Sequence, residues 1–595
     1  MRRLGLVIGE LAMTIVTDHG SPLFPAVSGS VSFSSRDEMD TAVQALQSHK
    51  DEWVTCTVRE RIALLDRLVR DFADIAPRWV TACLKAKSIA EDVPTASEEW
   101  ALGPWPVLKN LRQLRQSLSD IENYGHPRIP GPVTTRPGGQ VAAQVFPQTI
   151  YDRLFFYGVT AEVWMEPGVT VENLSETQAT FYQAQKHEGK LALVLGAGNV
   201  SSIGPMDILY KLFVEDQVVL FKTNPVNAYL GPLIEESFKA LVEPGFLRVV
   251  HGGAAEGAYL CNHPGIDEIH ITGSDKTFDA IVFGPGPEGA IRKAEHKPLL
   301  TRRVTGELGN VSPVIIVPGP WSASDIAYQA EHLVTMLTNN AGFNCNATRV
   351  IIEHANWTQR DQLLQQVRQV LTKIPPRAAY YPGAQQRHQT FVAEHPEAEQ
   401  FGTPTNGQLP WTLIAGVDPG NAEDVCFTTE VFCSLFAESP IDAANVPEYI
   451  DRAVAFANER LWGTLNATII VHPASLKDPA VAAAVERAVA DLRYGTVAVN
   501  YWAAAGFALA VTPWGAFPGH DIANIQSGTG VVHNTLMFSR PQKSVLCGPF
   551  RSMPTPPWFV THGKIARELF PKLTAFEAAP SPWKIPELMW SAIGR

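Results

Sequence analysis

From Lys190 onward, short apolar runs alternate with amphipathic segments, and this alternation constrains the fold more than any other feature of the chain. The series reads LALVLGAG, PMDILYKLFVE, QVVLFKTN, GPLIEESFKALVE, FLRVVHGG and DEIHITGS. Strands that alternate with helices in this order pair in parallel through crossover helices. The pattern therefore predicts an α/β fold with a doubly wound sheet.

A second series of the same type begins near Gly306 with SPVIIVPG and continues through DIAYQAEHLVTMLTNNAG into TRVIIEH. Two such series predict two doubly wound α/β lobes with a cleft between them. Open sheets of this kind bind ligands at the carboxyl ends of their strands. The polar residues at those ends are Asn199, Lys222 and Thr272-Gly273-Ser274.

The segments before Lys190 have a different character. Apolar residues recur at helical spacing from Arg36 to about Asn123, which predicts an α-helical leader. Residues 125–168 are rich in Pro, Gly, Val and aromatic residues, which favours extended chain that links or crosses between domains. The length of 595 residues suits two or three domains rather than one core.

Charge and cysteine usage exclude several function classes. The formal net charge is −12 and the charges are scattered, so we expect no nucleic-acid partner. Seven widely spaced cysteines without a CxxC pair argue against a disulfide framework or a structural zinc, and for a reducing compartment. Because no run reaches the roughly 18 apolar residues of a membrane helix, we expect no membrane span.

The N-terminal segment imitates a secretory signal. Met1-Arg2-Arg3 is followed by LGLVIGELAMTIV, but Glu10 interrupts the apolar run and no good small-residue cleavage site follows. We interpret the segment as a frayed or over-extended start of the chain and expect a cytoplasmic protein.

Three residues are candidates for catalysis. Cys345, in NNAGFNCNATRV, is a possible nucleophile in a loop between two packed elements. Glu307, in TGELGN, could act as a base if a dry pocket raises its pKa. Asn199, in GAGNVSSIGP, could point its amide at an oxyanion. Taken singly, each has an ordinary alternative, as a buried thiol, a solvated carboxylate and a turn asparagine.

The ordered set of motifs is more specific than any single one. After Asn199 come the lysine of VVLFKTNP, then ITGS, ELGN, GFNC and TTEVFCS, with 108 residues from Asn199 to Glu307, 38 more to Cys345 and 85 more to Glu430. This order resembles the aldehyde dehydrogenase superfamily, from the helical leader to GTVAVN and PWGAFPG. The chain is divergent and longer than typical members, and GAGNVSSIG does not match the G-x-G-x-x-G fingerprint.

The resemblance implies a thiohemiacetal mechanism and an NAD or NADP cofactor. Cys345 would attack the aldehyde, the Asn199 amide and the Cys345 N–H would stabilise the oxyanion, and Glu307 would activate the water that hydrolyses the thioester. The implied cofactor contacts are Lys222 at the adenosine ribose, the loop of Thr272, Gly273 and Ser274 at the pyrophosphate, and Glu430 with Phe432 at the nicotinamide ribose and ring.

The resemblance also implies a domain plan and an assembly. Residues 30–150 and 164–306 would form the dinucleotide-binding domain, 307–520 the catalytic domain, 151–163 and 521–560 a small β oligomerisation element, and 561–595 a C-terminal extension. The implied partners are a small-molecule aldehyde and further copies of the chain, in a homodimer or homotetramer built by sheet extension.

Several residues depart from the family pattern. Ala197-Gly198 precede Asn199 where the family has Pro-Trp, and Phe343 stands where glutamine is common. Pro225 replaces an acid that many NAD-preferring members carry, which leaves NAD and NADP both open. Phe278 replaces a glycine beside the pyrophosphate loop. Because of these departures, two alternatives to an acid-producing aldehyde dehydrogenase stay open: a coenzyme A-acylating relative and a catalytically silent member of the family.

Overall fold

The computed structural model describes residues 31–184, 187–405 and 407–593; the signal-like start of the chain lies outside these ranges. The predicted helical leader is confirmed. Ser35 and Glu38 form a capping box at the start of the first helix, and Thr57 and Glu60 form another at the start of the second. These residue types at this spacing favour a helix start, so the local sequence explains where both helices begin. The leader consists of α1 (Arg36–Thr55), α2 (Val58–Ala86), α3 (Glu98–Ala101) and α4 (Pro104–Tyr124).

A six-stranded sheet forms the core of the first lobe. Its strands are β4 (Leu191–Leu195), β5 (Val218–Lys222), β6 (Leu247–Val250), β7 (Glu268–Thr272), β8 (Val304–Glu307) and β19 (Gly528–Thr529). Their order in the sheet is β19-β8-β7-β4-β5-β6, and all neighbours pair in parallel except β19, which is antiparallel to β8.

Helices of the leader and of the crossovers cover this sheet. Leu65, Phe72 and Trp79 of the leader are buried in one cluster with Leu193 and Leu220 of the sheet. The remaining helices up to residue 294 are α5 (Ile150–Phe155), α6 (Thr180–Gln183), α7 (Ile203–Phe213), α8 (Gly231–Ser237), α9 (Lys239–Val242), α10 (Ala254–Cys261), α11 (Asp275–Val282) and α12 (Gly286–Ala294).

An eleven-stranded sheet forms the second lobe, in the order β1-β2-β3-β21-β17-β16-β9-β10-β15-β14-β12. Its strands are β1 (Val133–Thr135), β2 (Val141–Phe146), β3 (Thr160–Met165), β9 (Pro313–Val317), β10 (Val350–His354), β12 (Glu399–Phe401), β14 (Trp411–Ile414), β15 (Leu435–Ile441), β16 (Asn466–Val471), β17 (Thr496–Val499) and β21 (Pro541–Cys547). The six strands from β17 to β14 are parallel, as the second α/β series predicts.

The other elements of the second lobe are helices and two small sheets. Strands β11 (Arg377–Ala378) and β13 (Gln408–Leu409) pair with each other, as do β18 (Pro513–Gly515) and β20 (Val531–His533). The helices are α13 (Ala323–Thr338), α14 (Arg360–Lys373), α15 (Ala384–Glu394), α16 (Val425–Thr428), α17 (Val446–Arg460), α18 (Pro479–Asp491), α19 (Ala504–Ala508), α20 (Gly563–Ala578) and α21 (Ile585–Ile593).

The sheet of the second lobe is extended by the chain's own strands. Strand β21 pairs in parallel with β17 and antiparallel with β3, so the segments assigned to a small β element continue the sheet of the second lobe within one molecule. The outermost strands of this sheet are β1 and β12, each of three residues. An oligomer built by sheet extension would therefore use one of these two short edges.

The predicted fold class, two α/β lobes with a small added β element, is confirmed. The described part of the chain contains no helix that is both long and apolar enough to cross a membrane.

Candidate active site

The three candidate catalytic residues come from both lobes. Glu307 is the last residue of β8, and Asn199 follows β4 in the first lobe. Cys345 follows the short turn of helix Asn339–Gly342, which continues from α13 in the second lobe. The carboxyl ends of the first sheet thus face the loop that carries the thiol, as expected for ligand sites in open α/β sheets.

The Cys345 thiol lies close enough to the Glu307 carboxylate for each group to shift the pKa of the other. Cys345 is half-buried, whereas Glu307 is only 3% exposed. The Cys345 carbonyl accepts hydrogen bonds from Ser312 Oγ and Asn466 Nδ2, each at 3.2 Å. These contacts hold the backbone of Cys345, and the structure brings residues 307 and 345 together, while their catalytic roles stay predictions.

Burial raises the pKa of Glu307 to about 8. The negative charge of Asp207 raises this pKa further, while the neighbouring Cys345 thiol and Trp514 indole oppose the shift. A carboxyl group in this range exists in both protonation states near neutral pH, which is the property required of a general base.

Burial also raises the pKa of the Cys345 thiol well above its ordinary value, and the nearby carboxylates of Glu307 and Glu430 add to the effect. The residue is therefore a neutral thiol until a neighbouring group accepts its proton. Since the thiolate is the nucleophilic form, Glu307 is placed to be that acceptor.

Asn199 lies against the nucleophile loop. Its Nδ2 donates to the Phe343 carbonyl at 2.9 Å, two residues before Cys345. This bond uses one of the two amide hydrogens and leaves the second for another acceptor. The structure thus brings Asn199 to the loop of the candidate nucleophile, and its part in binding an oxyanion stays a prediction.

Glu430 lies on the same side of the site. A Cβ atom on Gly309 would lie 2.1 Å from Glu430 Oε2, so the glycine makes the close approach of this carboxylate possible. Burial raises the pKa of Glu430 to about 7, although Arg349 and Arg387 oppose the shift. The other carboxylate oxygen is buried and has no hydrogen-bond partner among the described residues.

Phe432 is held in an unusual backbone conformation beside the site. Its φ of 43° is left-handed, which is rare for a residue with a side chain. The half-buried ring lies 5.1 Å from the Tyr381 ring and 5.9 Å from the Phe343 ring, measured between centroids. The aromatic group thereby forms a wall next to the loop that carries the thiol.

Lys222 ends β5, as predicted, and is only 7% exposed. Burial lowers its pKa to about 8, against the opposing charge of Glu256. Lysine is rarely buried without a partner, so packing alone does not explain an amino group at this position. At the carboxyl end of a parallel strand, the group is suited to binding hydroxyl or phosphate oxygens.

The Thr272-Gly273-Ser274 loop divides its contacts between the protein interior and the surface. Thr272 Oγ1 donates to Asp207 Oδ2 at 2.9 Å, and Gly273 N–H donates to the Glu307 carbonyl at 3.1 Å. Ser274 is exposed and caps α11, accepting a hydrogen bond from the Thr277 N–H at 3.2 Å. The loop thus presents the N-terminus of α11, not the Thr272 hydroxyl, to solvent.

The same end of the sheet fits a dinucleotide. The N-terminus of α11 carries the partial positive charge that favours a pyrophosphate. Gly273 and Ser274 are both exposed, so this helix N-terminus is accessible to a ligand. Phe278, which replaces a family glycine, is 1% exposed and buried in a cluster with Ile271 and Val282, so its ring is part of the core.

Two neighbours of the site were not predicted from the sequence. The Trp514 indole lowers the pKa of the Glu307 carboxyl, and the negative charge of Asp207 raises it. Trp514 belongs to the motif PWGAFPG, which carries the resemblance, so the motif was a usable signal. Asp207 lies inside the apolar helical segment PMDILYKLFVE, and an acidic residue within such a segment was the available signal.

A further group of polar residues lies outside this site. His395 Nε2 is 3.1 Å from Asp424 Oδ1 and 3.6 Å from Cys426 Sγ, and His395 Nδ1 is 2.9 Å from Glu397. Among the residues that the structure describes, this is the one set with metal-ligand geometry. Its members satisfy one another by hydrogen bonds, which accounts for their burial without a bound ion.

Comparisons with known proteins point to one family. The sequence profile described as "Aldehyde dehydrogenase family" matches residues 217–391, a range that includes Glu307 and Cys345. The chain is 32% identical to human 4-trimethylaminobutyraldehyde dehydrogenase over 138 residues, which is 23% of this chain and 24% of that protein. It is 28% identical to aldehyde dehydrogenase LUC3 from Fusarium over 162 residues, 27% of this chain and 32% of that protein.

The structural likeness is longer than the sequence likeness. The fold resembles a Mycobacterium tuberculosis aldehyde dehydrogenase complexed with NAD+, with a TM-score of 0.55 and 18% identity over 87% of this chain and 91% of that one. It also resembles an NADP-dependent glyceraldehyde-3-phosphate dehydrogenase from Bacillus halodurans C-125 complexed with NADP, with a TM-score of 0.57 and 17% identity over 89% and 94%. The sequence matches span about a quarter to a third of the curated relatives. The resemblance inferred from the motifs is thus confirmed.

Proposed function

We propose that this chain, which has the aldehyde dehydrogenase fold and matches that family in sequence around its candidate nucleophile, oxidises an aldehyde to a carboxylic acid with NAD+ or NADP+. The observation that supports this most strongly is the closeness of the Cys345 thiol and the buried Glu307 carboxylate at the junction of the two lobes, where each group shifts the pKa of the other. A nucleophile next to a base is the minimal apparatus for covalent catalysis.

The first part of the reaction uses the thiol. Glu307 accepts the Cys345 proton, the sulfur adds to the aldehyde carbon, and the second Asn199 amide hydrogen with the Cys345 N–H stabilises the oxyanion. When bound, NAD(P)+ supplies the acceptor for the hydride that leaves this carbon. The remaining acyl group is a thioester on Cys345.

The second part uses the carboxylate again. After its first proton has passed to solvent, Glu307 takes a proton from a water molecule, and the resulting hydroxide attacks the thioester carbon. The C–S bond breaks, and Cys345 recovers a proton as the acid leaves. A carboxyl pKa near 8 suits both transfers, since the group can accept a proton and release it near neutral pH.

We further propose that Lys222, the N-terminus of α11, and Glu430 with Phe432 line the dinucleotide site in that order. Lys222 has the burial and strand-end position expected for the adenosine ribose. Glu430 and Phe432 contact the region of Cys345, where the nicotinamide ring would have to lie for hydride transfer. Pro225 follows Lys222 by three residues and brings no carboxylate toward a 2′-phosphate.

The test is a panel of aldehydes read by the reduction of NAD+ and NADP+ in parallel, with and without coenzyme A. We expect turnover without coenzyme A, because Glu307 provides a base for water. We also expect kcat/KM values for the two cofactors that differ by less than about 10-fold. The reason is that Pro225 stands in place of a carboxylate, whose repulsion of a 2′-phosphate would be worth roughly 1 kcal/mol.

Two outcomes would contradict the proposal. An absolute requirement for coenzyme A would indicate the acylating alternative, in which the thioester leaves to a thiol. Cofactor binding without turnover over the whole panel would indicate the catalytically silent alternative. Protein with Cys56, another half-buried free cysteine, replaced by alanine is a suitable active control for the assay.

A further inference from the structure

A buried polar network lies directly behind the nucleophile loop. The Asn199 carbonyl lies 2.9 Å from the Tyr380 hydroxyl, 3.1 Å from Asn340 Nδ2 and 3.4 Å from Lys87 Nζ. Asn340 Oδ1 lies 3.0 Å from Lys87 Nζ and 2.9 Å from the Tyr380 hydroxyl. The helical leader, through Lys87, therefore contacts both the segment that carries Asn199 and the segment that leads to Cys345.

The Lys87 ammonium group is fully used in this network. Its three hydrogens match three partners, Glu99 at 2.8 Å, Asn340 Oδ1 and the Asn199 carbonyl. Lys87 is 3% exposed and Glu99 is 0% exposed. Such a buried ion pair is weak evidence for stability, because desolvation offsets most of the attraction, and it is better suited to fixing one arrangement of the groups around it.

The backbone that the network holds is strained. Asn340 and Ala341 have φ values of 52° and 56°, and both are left-handed residues with side chains. This conformation is unfavourable for an L-residue and persists where the surroundings enforce it. Asn340 is fixed at both ends, because its N–H donates to Glu98 at 3.0 Å and its Nδ2 reaches the Phe343 carbonyl at 3.2 Å.

The strained turn leads straight to the nucleophile. The Phe343 carbonyl accepts from Asn340 Nδ2 and also from Asn199 Nδ2, so one peptide group joins the network to the candidate oxyanion donor. Cys345 follows two residues later. Loosening the network would let the Asn199 amide and the Cys345 N–H move apart.

We infer that Lys87, Glu99 and Tyr380 are positioning residues, which hold the Asn199 segment and the Cys345 loop in the one arrangement where both oxyanion donors converge. This inference rests on the proposed function. The three residues act through Asn199 and Asn340 and need not touch the substrate.

The test compares Tyr380→Phe and Lys87→Met with matched controls elsewhere in the protein. Tyr494→Phe also removes a buried hydroxyl that donates to a carbonyl, that of Ala457 at 2.9 Å. Lys109→Met also removes a buried lysine from its carboxylates, Asp152 and Glu577. We expect kcat to fall about 10- to 100-fold in Tyr380→Phe and Lys87→Met, with little change in cofactor Kd, because a small misplacement of reacting groups costs rate.

The controls are expected to lower the melting temperature to a similar degree and to keep kcat within about twofold, which separates positioning from stability. A second readout is the rate at which iodoacetamide labels Cys345, followed by mass spectrometry of its peptide. We expect labelling to accelerate in Tyr380→Phe and to stay unchanged in Tyr494→Phe, since a loosened loop exposes the thiol.

The outcomes separate the inference from the proposed function. If the wild-type protein turns over aldehydes and Tyr380→Phe and Lys87→Met match their controls in kcat, the inference is wrong while the function stands. If the wild-type protein shows no turnover, the proposed function is wrong, and the rates of iodoacetamide labelling at Cys345 then test the inference by themselves. Faster labelling in Tyr380→Phe alone would then support positioning, and equal labelling in both tyrosine variants would overturn it.

Discussion

Replacing Cys345 with alanine is expected to lower aldehyde-dependent cofactor reduction by roughly 10³-fold or more, the scale of loss when a covalent nucleophile is removed. Cofactor binding should stay within about twofold of the wild-type Kd, because the proposed adenosine and pyrophosphate contacts lie at Lys222 and α11, away from the thiol. Steady-state absorbance at 340 nm and titration of intrinsic fluorescence give the two quantities.

The matched control is Cys56→Ala, since Cys56 is likewise half-buried and free but lies in the leader between α1 and α2. Its kcat should equal the wild-type value. Turnover in Cys345→Ala close to that of the control would show that the nucleophile is another residue. A large loss of cofactor affinity in Cys345→Ala would instead show that the substitution disturbs the site as a whole.

Replacing Glu307 with glutamine is expected to slow thioester hydrolysis by about 10²-fold or more, the usual contribution of a general base. Addition of the thiol should slow less, because the substitution also removes a negative charge that raises the pKa of the Cys345 thiol. The first turnover should therefore appear as a burst of reduced cofactor, approaching one equivalent per chain, followed by a slow steady rate. Stopped-flow absorbance measures both phases.

The pH dependence follows from the environment of Glu307. Because burial and the Asp207 charge raise its pKa to about 8, the active carboxylate form is scarce below this pH and predominates above it. The wild-type steady-state rate should rise with pH through this region and then level off, and Glu307→Gln should lose that rise. Asp207→Asn should move the rise to lower pH, since a like charge is removed. A profile unaffected by both substitutions would show that Glu307 is not the base.

The sequence predicted the framework of the site well because that framework is local. Strand–helix alternation placed Lys222 and Thr272 at strand ends, and both lie there. The pairing of Cys345 with Glu307 followed from the order of motifs, since their separation of 38 residues says nothing by itself about proximity. Composition and periodicity alone left each of these residues with an ordinary alternative.

The features that escaped prediction depend on contacts between distant segments. Thr272 turns its hydroxyl to the buried Asp207, a contact 65 residues away in sequence that no motif encodes. The pairing of β21 with β17 joins residues 541–547 to 496–499 within one chain, and no motif indicates it. The Lys87 network links residues 253 positions apart, and its members look like unrelated polar residues in the sequence.

The covalent intermediate on Cys345 can be measured directly in the Glu307→Gln protein. The variant is mixed with an aldehyde and NAD(P)+, quenched in acid during the slow phase, digested and examined by mass spectrometry. We expect the peptide that contains Cys345 to gain the mass of the acyl group, with no such gain when the cofactor is omitted. A burst of reduced cofactor with the acyl mass absent from Cys345, or present on another residue, would contradict the proposed chemistry.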